Sequence, residues 1–112
     1  MNKYHARVTW LPDPLTGTPL RFDSAAEARR NGELCLLLRA GAIADLRRQV
    51  AYPCAVNGVL VCRYVADFVY VTDGQTVVED TKSAATRKLP VYRLKKKLVK
   101  ALYGVDIVEG TA

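Results

Sequence analysis

Three charged residues in the second half of the chain have the types and the spacing of a hydrolytic metal site. Asp67 lies in the apolar run YVADFVY, while Asp80 and Lys82 lie in VVEDTK. An acid in an apolar strand is costly to bury unless it is paired or binds a cation. Two neighbouring carboxylates favour a shared metal ion or a raised pKa, and a nearby lysine can orient the attacking water or stabilise charge on a phosphate. These residues predict metal-assisted hydrolysis.

The segments around these residues are predicted to form strands. Asn57-Gly58 and Asp73-Gly74 are two-residue turn signals. The residues on either side of the turns are rich in β-branched and aromatic types, which favour strands. Three consecutive strands, from about residue 43 to residue 82, are therefore predicted to form an antiparallel meander.

The second turn is expected to bring the charged residues together. Asp67 and Asp80 lie at nearly equal distances from that turn, so a tight hairpin makes them neighbours across two strands. Strand alternation puts Asp80 and Lys82 on one face and Glu79 on the other. Glu79 is therefore expected to be solvated or paired with a basic residue, unless a bulge intervenes.

Helices are predicted on both sides of the meander. Ser24 can cap a helix from about Ala25 to Ala40, with Glu27 in the capping-box position. The later segment VYRLKKKLVKALY has apolar residues at helical spacing, and Gly104 ends that helix. The following VDIVE is predicted to be a short strand.

The order of helix, three-stranded antiparallel meander, helix and short final strand predicts an α/β fold in which helices cover a small sheet. The 112 residues have room for one domain, whose breaker-rich residues 1–21 are predicted to be partly irregular. No apolar run approaches the roughly 20 residues of a membrane span. The chain is thus expected to avoid membranes and to lie in the cytoplasm, that of the host cell if a phage encodes it.

The charge balance favours a polyanionic partner. The chain has 17 Lys and Arg against 11 Asp and Glu, which gives a net charge of +6, as expected of a nucleic-acid-binding protein. In the last helix, basic residues lie on the side opposite Leu94, Leu98 and Leu102. These basic residues are Arg93, Lys96, Lys97 and Lys100. Such a division is typical of a solvated face and also of a surface that contacts DNA phosphates.

The pattern of an Asp, about a dozen residues and then Asp-x-Lys, on adjacent strands after a helix, resembles the PD-(D/E)XK nuclease and Holliday-junction-resolvase-like superfamily. More closely, the chain resembles a phage- and prophage-borne family of small endonucleases catalogued as a domain of unknown function. The resemblance runs through FDSAAEA, AGAIADLRRQ, YVADFVY, VVEDTKSAAT, VYRLKKKL and YGVDIVE. Two positions depart from the pattern: Ala66 replaces the proline of the superfamily's name, and Ser83 replaces a frequent glycine.

The resemblance implies hydrolysis of a DNA phosphodiester bond with Mg²⁺, for which Mn²⁺ can substitute. It implies that Asp67, Asp80 and the Thr81 carbonyl bind the metal and that Lys82 assists the nucleophile. Glu27 matches a helix glutamate that related nucleases place near the metal, and the capping box explains Glu27 equally well.

The resemblance also implies a substrate. It adds Tyr92 and Lys95 to the DNA-binding residues of the last helix, and it implies branched DNA, such as a Holliday junction or a flap, in phage DNA replication, recombination or packaging. Cutting both strands of a junction would favour a homodimer. Three other interpretations stay open: Asp80 and Lys82 as an ordinary surface ion pair, an inactive DNA-binding accessory protein of the same fold, and a nuclease that acts on RNA.

Overall fold

The chain forms two small sheets and three helices within residues 8–14 and 16–111, which the computed structural model describes. The elements are β1 (Thr9–Pro12), β2 (Pro19–Phe22), α1 (Ala25–Arg39), β3 (Ala44–Val56), β4 (Val59–Thr72), β5 (Gln75–Lys82), α2 (Ala84–Arg87), α3 (Pro90–Tyr103) and β6 (Ile107–Thr111). The predicted order of helix, meander, helix and final strand is confirmed. None of the helices in these residues has the length and apolar character needed to cross a bilayer.

The main sheet has the strand order β3-β4-β5-β6, with β6 parallel to β5 and the other neighbours antiparallel. Both predicted turns connect its antiparallel strands. All four turn residues, Asn57-Gly58 and Asp73-Gly74, have positive φ angles, as the favoured two-residue hairpin turns require. The fold is thus α/β, with a mixed four-stranded sheet.

The helices α1 and α3 cover different parts of this sheet. One cluster of buried residues includes Val99 of α3, together with Tyr64, Ala66 and Val69 of β4. A second cluster packs beneath α1 and consists of Leu34, Ile43, Phe68 and Tyr70. The carboxylates predicted to be catalytic lie where these two cores adjoin.

The alternation of side chains between the two faces of the sheet slips by one residue near Gln49 of β3 and Asp67 of β4. Regular alternation would put Ala66 and Phe68 on one face, yet Ala66 packs with α3 and Phe68 packs with α1. On β3, Leu46 packs with the α1 cluster and Val50 with the α3 cluster. Gln49 lies within the slip and has a φ of 52°, a left-handed conformation that non-glycine residues adopt rarely and often at functional sites.

The N-terminal segment is more regular than the sequence suggests. β1 and β2 pair as an antiparallel ribbon, with Thr9 opposite Phe22 and Pro12 opposite Pro19. Pro19–Phe22 is therefore a strand, although its breaker-rich surroundings favoured an irregular loop, because pairing with β1 satisfies its backbone. Residues 13–14 and 16–18, between the two strands, form no regular element, and residues 1–7 and 15 of the predicted segment lie outside the described residues.

The last helix is rotated relative to the prediction. Leu94 and Leu102, which belong to the predicted apolar side, are 58% and 43% exposed, whereas Tyr92 and Val99 are buried. The Tyr92 hydroxyl donates a hydrogen bond to Glu109 Oε2 at 3.0 Å. This bond to β6 ties the Tyr92 side of α3 to the sheet. Leu94 and Leu102 face outward, whereas Leu98 is partly buried against the cluster that contains Val99.

Candidate functional site

Asp67 and Asp80 lie side by side where β4 and β5 stop pairing. The paired residues end at Phe68 and Glu79, and beyond them the two carboxylates take over the hydrogen bonds of the ladder. The Asp67 N–H donates to Asp80 Oδ1 at 2.9 Å, and the Thr81 N–H donates to Asp67 Oδ2 at 2.9 Å. The neighbourhood predicted from the hairpin is therefore present.

Lys82 joins the two carboxylates from the solvent side. Its Nζ lies 4.0 Å from Asp67 Oδ2 and 3.9 Å from Asp80 Oδ1. The Lys82 side chain is half-buried, whereas Asp80 is fully buried. The ammonium thus neutralises part of the carboxylate charge and remains accessible to an incoming anion.

Glu27 approaches the same place from α1. Its N–H donates to the Ser24 hydroxyl at 3.1 Å, which confirms the predicted helix cap. Its buried carboxylate does more, because Glu27 Oε1 accepts hydrogen bonds from Arg48 at 3.4 Å and from the Gln49 amide at 3.2 Å. Glu27 thus lies in the first turn of α1 with its carboxylate directed at Arg48 and Gln49, where the side-chain alternation of β3 slips.

Gln49 and Arg48 belong to the site and were not predicted. The Gln49 amide lies between two carboxylates, 3.2 Å from Glu27 Oε1 and 3.5 Å from Asp67 Oδ1. The Arg48 guanidinium stacks 4.2 Å from the centre of the Phe22 ring, which fixes its direction toward Glu27. The polar run RRQ in β3 was the available signal, but alternation alone does not place it.

The electrostatics of the site oppose ionisation. Burial raises the pKa of Glu27 to about 7, and the Asp67 charge adds to this rise while Arg48 opposes it. Burial raises the pKa of Asp80 to about 6 against the opposing charge of Lys82. Burial also raises the pKa of Asp67, again against Lys82. The site concentrates carboxylates that a further cation would stabilise.

The free energy of unfolding of the metal-free chain is expected to fall by about 5 kcal/mol as the pH rises from about 4 to about 7. Asp and Glu in an unfolded chain ionise near pH 4, whereas folded Glu27 and Asp80 have pKa values of about 7 and about 6. Between these pH limits the folded chain binds more protons than the unfolded chain. The two carboxyl groups therefore stabilise the fold fully below the unfolded pKa values, and this contribution is lost as the pH rises through the folded pKa values.

Thermal unfolding in EDTA at about pH 5 and about pH 8 measures this dependence. Glu27→Gln removes one of the titrating groups and should flatten the profile. A wild-type melting temperature that is equal or higher at the alkaline pH would contradict the prediction.

The donor set has the chemistry of a site for a hard divalent cation. Asp80 Oδ2 is buried and has no hydrogen-bond partner among the described residues, and such an orphaned acceptor calls for a cation or a donor. Carboxylate and carbonyl oxygens are the ligands that Mg²⁺ prefers. Within residues 8–14 and 16–111, no group of three or more His, Cys, Asp or Glu side chains is arranged to hold a metal. The Gln49 amide lies between Glu27 and Asp67 in this arrangement.

Glu79 lies on the opposite face, under α1, as alternation predicted. Arg30 of α1 donates to both Glu79 oxygens, from Nε at 2.7 Å and from a terminal nitrogen at 2.9 Å. The Tyr70 hydroxyl donates to Glu79 Oε1 at 2.8 Å. Of the two predicted environments, pairing with a basic residue is confirmed, and Glu79 takes no part in the candidate site.

The basic side of α3 borders a cavity of about 510 Å³ between α3 and β6, here called the α3–β6 groove. Its cationic lining consists of Arg87, Arg93, Lys96, Lys97 and Lys100. Four of these belong to the predicted DNA-binding set. Tyr92 of that set also lines the groove, although it is largely buried with its hydroxyl on Glu109. Lys95 is not part of the lining and lies near the Cys54 thiol.

Comparison with known proteins places the chain in a family. Searches of curated proteins and of solved structures found no match. A family model described as "Protein of unknown function (DUF1064)" matches residues 1–108, which is nearly the whole chain. The chain therefore belongs to the DUF1064 family.

Proposed function

We propose that the chain is a metal-dependent endodeoxyribonuclease of the PD-(D/E)XK type that acts on branched DNA. One observation carries this proposal: Asp67 and Asp80 are buried side by side at the end of their strand pairing, with the Lys82 Nζ about 4 Å from both. The orphaned Asp80 Oδ2 supports it, because a bound cation would satisfy that atom.

In this proposal Asp67, Asp80 and the Thr81 carbonyl hold Mg²⁺ or Mn²⁺, and Glu27 contributes from α1. Such an ion lowers the pKa of a bound water and stabilises charge on phosphate oxygens. The protein's own contribution is the position of its carboxylates. Main-chain N–H groups of Asp67 and Thr81 fix one oxygen of each aspartate. Of the other two oxygens, Asp80 Oδ2 has no partner among the described residues, and Asp67 Oδ1 accepts a bond of 3.5 Å from the Gln49 amide.

Lys82 then has two functions. Its ammonium, which reaches solvent beside both carboxylates, orients the attacking water and stabilises the charge that develops on the phosphate. Because it neutralises part of the local carboxylate charge, it also lowers the repulsion met by an approaching phosphodiester.

The basic α3–β6 groove supports nucleic acid as the substrate, since lysine and arginine contacts to phosphates give affinity without reading sequence. Affinity of that kind suits an enzyme that selects a DNA shape, and a four-way junction would be cut in both strands by two copies of the chain. An accessory protein that only binds DNA would not need Asp67, Asp80 and Lys82 together.

Cleavage of labelled DNA tests the proposal. Single-stranded, linear duplex, flap and four-way-junction DNA, with single-stranded RNA beside them, are incubated with the purified chain in Mg²⁺, Mn²⁺ or EDTA. We expect cleavage of branched DNA that needs the metal and that Asp67→Asn abolishes. Asp73→Asn makes the same carboxylate-to-amide change in the exposed turn of the same hairpin and should leave cleavage unchanged.

Binding of DNA without cleavage under every metal condition would overturn the nuclease proposal and favour the accessory protein. Cleavage of RNA alone would keep the chemistry and replace the substrate.

A further inference from the structure

The α3–β6 groove contains more positive charge than its own acids neutralise. Lys96 Nζ pairs with Glu109 Oε1 at 2.6 Å, and Lys100 Nζ pairs with Asp106 Oδ2 at 2.7 Å. The remaining cations of the lining, Arg87, Arg93 and Lys97, form no ion pair with the described residues. The groove therefore offers three cationic side chains to an anionic ligand.

Two of these cations form a ridge that anions can reach from either side. Arg93 and Lys97 are exposed, and they also line an adjoining cavity of about 310 Å³. With Lys100 they follow one side of α3 for about 10 Å, given a rise of about 1.5 Å per residue. That length corresponds to about three phosphates at the spacing of about 3.4 Å along one strand of B-form DNA, and to fewer along a more extended unpaired strand.

The shape of the groove favours one strand over two. Its volume of about 510 Å³ is that of a pocket for a small ligand, for which roughly 300 to 1,000 Å³ is usual, and a duplex does not enter such a space. Apolar side chains also line it, namely Ala101, Val105 and Ile107. Sugars and unstacked bases can contact these walls while the phosphates contact the cations.

The groove ends beside the candidate site. Glu109, which lines the groove, is the β6 partner of Asp80 in the β5–β6 pairing. The Tyr92 hydroxyl bonds to Glu109, and the charges of Asp80 and Asp67 help to raise the pKa of Tyr92, although burial is the larger cause. A strand lying in the groove would thus have its end next to the carboxylates.

We propose that the α3–β6 groove binds an unpaired nucleic-acid strand through its phosphates. The proposal rests on the proposed nuclease function for its biological meaning, because the groove would select the single-stranded arm of a branched substrate. The binding itself needs no catalysis, so it is testable separately. Single-stranded DNA and RNA share the phosphates that the cations would contact.

Fluorescence anisotropy in EDTA, where no cleavage occurs, tests this. A labelled single strand, its duplex, and an RNA strand of the same sequence are titrated with wild type and with the double variant Arg93→Glu, Lys97→Glu. The matched control is Arg47→Glu, Arg63→Glu, which makes the same change in net charge at exposed positions of β3 and β4. Melting temperatures of both variants establish that they are folded.

We expect wild type to bind the single strands more tightly than the duplex, and the groove variant to lose about tenfold or more in single-strand affinity. The slope of log affinity against log salt should become shallower by about 1.4, since each phosphate contact on a single strand contributes about 0.7. The control should change single-strand affinity by less than about twofold.

Equal weakening by the control variant would overturn the groove proposal, because net charge alone would then explain binding. Duplex binding that is as tight as single-strand binding would overturn it too. Metal-dependent flap cleavage that survives unchanged in the groove variant would overturn the groove proposal and leave the nuclease proposal standing. Single-strand binding that depends on the groove, by a chain that cuts no substrate, would support the groove proposal and overturn the nuclease proposal.

Discussion

Asp80→Asn is expected to abolish metal-dependent DNA cleavage while making the metal-free chain more stable near pH 8. Asp80 is fully buried and burial raises its pKa to about 6, so its ionised form is costly at that pH. Asparagine keeps the shape and the acceptor for the Asp67 N–H and removes the charge. The gain should be about 1 kcal/mol, or about 4 °C in melting temperature. The loss of cleavage should be about a hundredfold or more, since losing even a partner of a metal ligand costs up to that much.

Opposite effects on stability and activity separate a functional residue from a structural one. Thermal unfolding at about pH 5, where wild-type Asp80 is protonated, should show a smaller difference between variant and wild type. Cleavage assays on the same samples give the rates. Retained cleavage, or a destabilisation that is equal at both pH values, would contradict the role of Asp80.

Arg30→Met is expected to lower the free energy of unfolding by about 3–5 kcal/mol. Glu79 is only 3% exposed and accepts two hydrogen bonds from Arg30. Without the guanidinium, a buried carboxylate would keep the Tyr70 hydroxyl as its remaining partner among the described residues. Since small domains are stable by about 5–15 kcal/mol, this one contact supports a large part of the fold.

A double-mutant cycle in urea measures the coupling. Glu79→Gln removes the charge, so the double variant Arg30→Met, Glu79→Gln should recover much of the stability that the single variant loses. Arg29→Met makes the same replacement at an exposed position of α1 and should cost less than about 0.5 kcal/mol. Additive effects of the two single changes would contradict a paired buried charge.

The positions of Asp67, Asp80 and Lys82 could be predicted because they depend on local rules. Turn signals at Asp73-Gly74 fix the hairpin, and the spacing on each side of a tight turn fixes which residues meet. The cap at Ser24 is local as well. Such features can be predicted because the residues that determine them lie within a few positions of the residues that they place.

The parts that escaped prediction depend on distant contacts. Gln49 enters the site because the alternation of β3 slips there, with a φ of 52° at Gln49. Neither a glycine nor a proline marks this position in the sequence, so no local signal predicts the slip. The side that α3 turns to the sheet follows from contacts with distant strands, namely the bond between Tyr92 and Glu109 and the packing of Val99. Periodicity shows that apolar residues share a side of a helix, and it does not show which side the sheet will take.

The interruptions of β3 have a consequence for the behaviour of the chain in concentrated solution. β3 is an edge strand of the main sheet, and a long regular edge invites pairing with a strand of another molecule, which leads to aggregation. Asp45 and Gln49 have positive φ angles, and Pro53 has no N–H to donate. No long stretch of this edge can therefore act as a template for a foreign strand, and the residue that brings an amide between two carboxylates also helps to keep separate molecules apart.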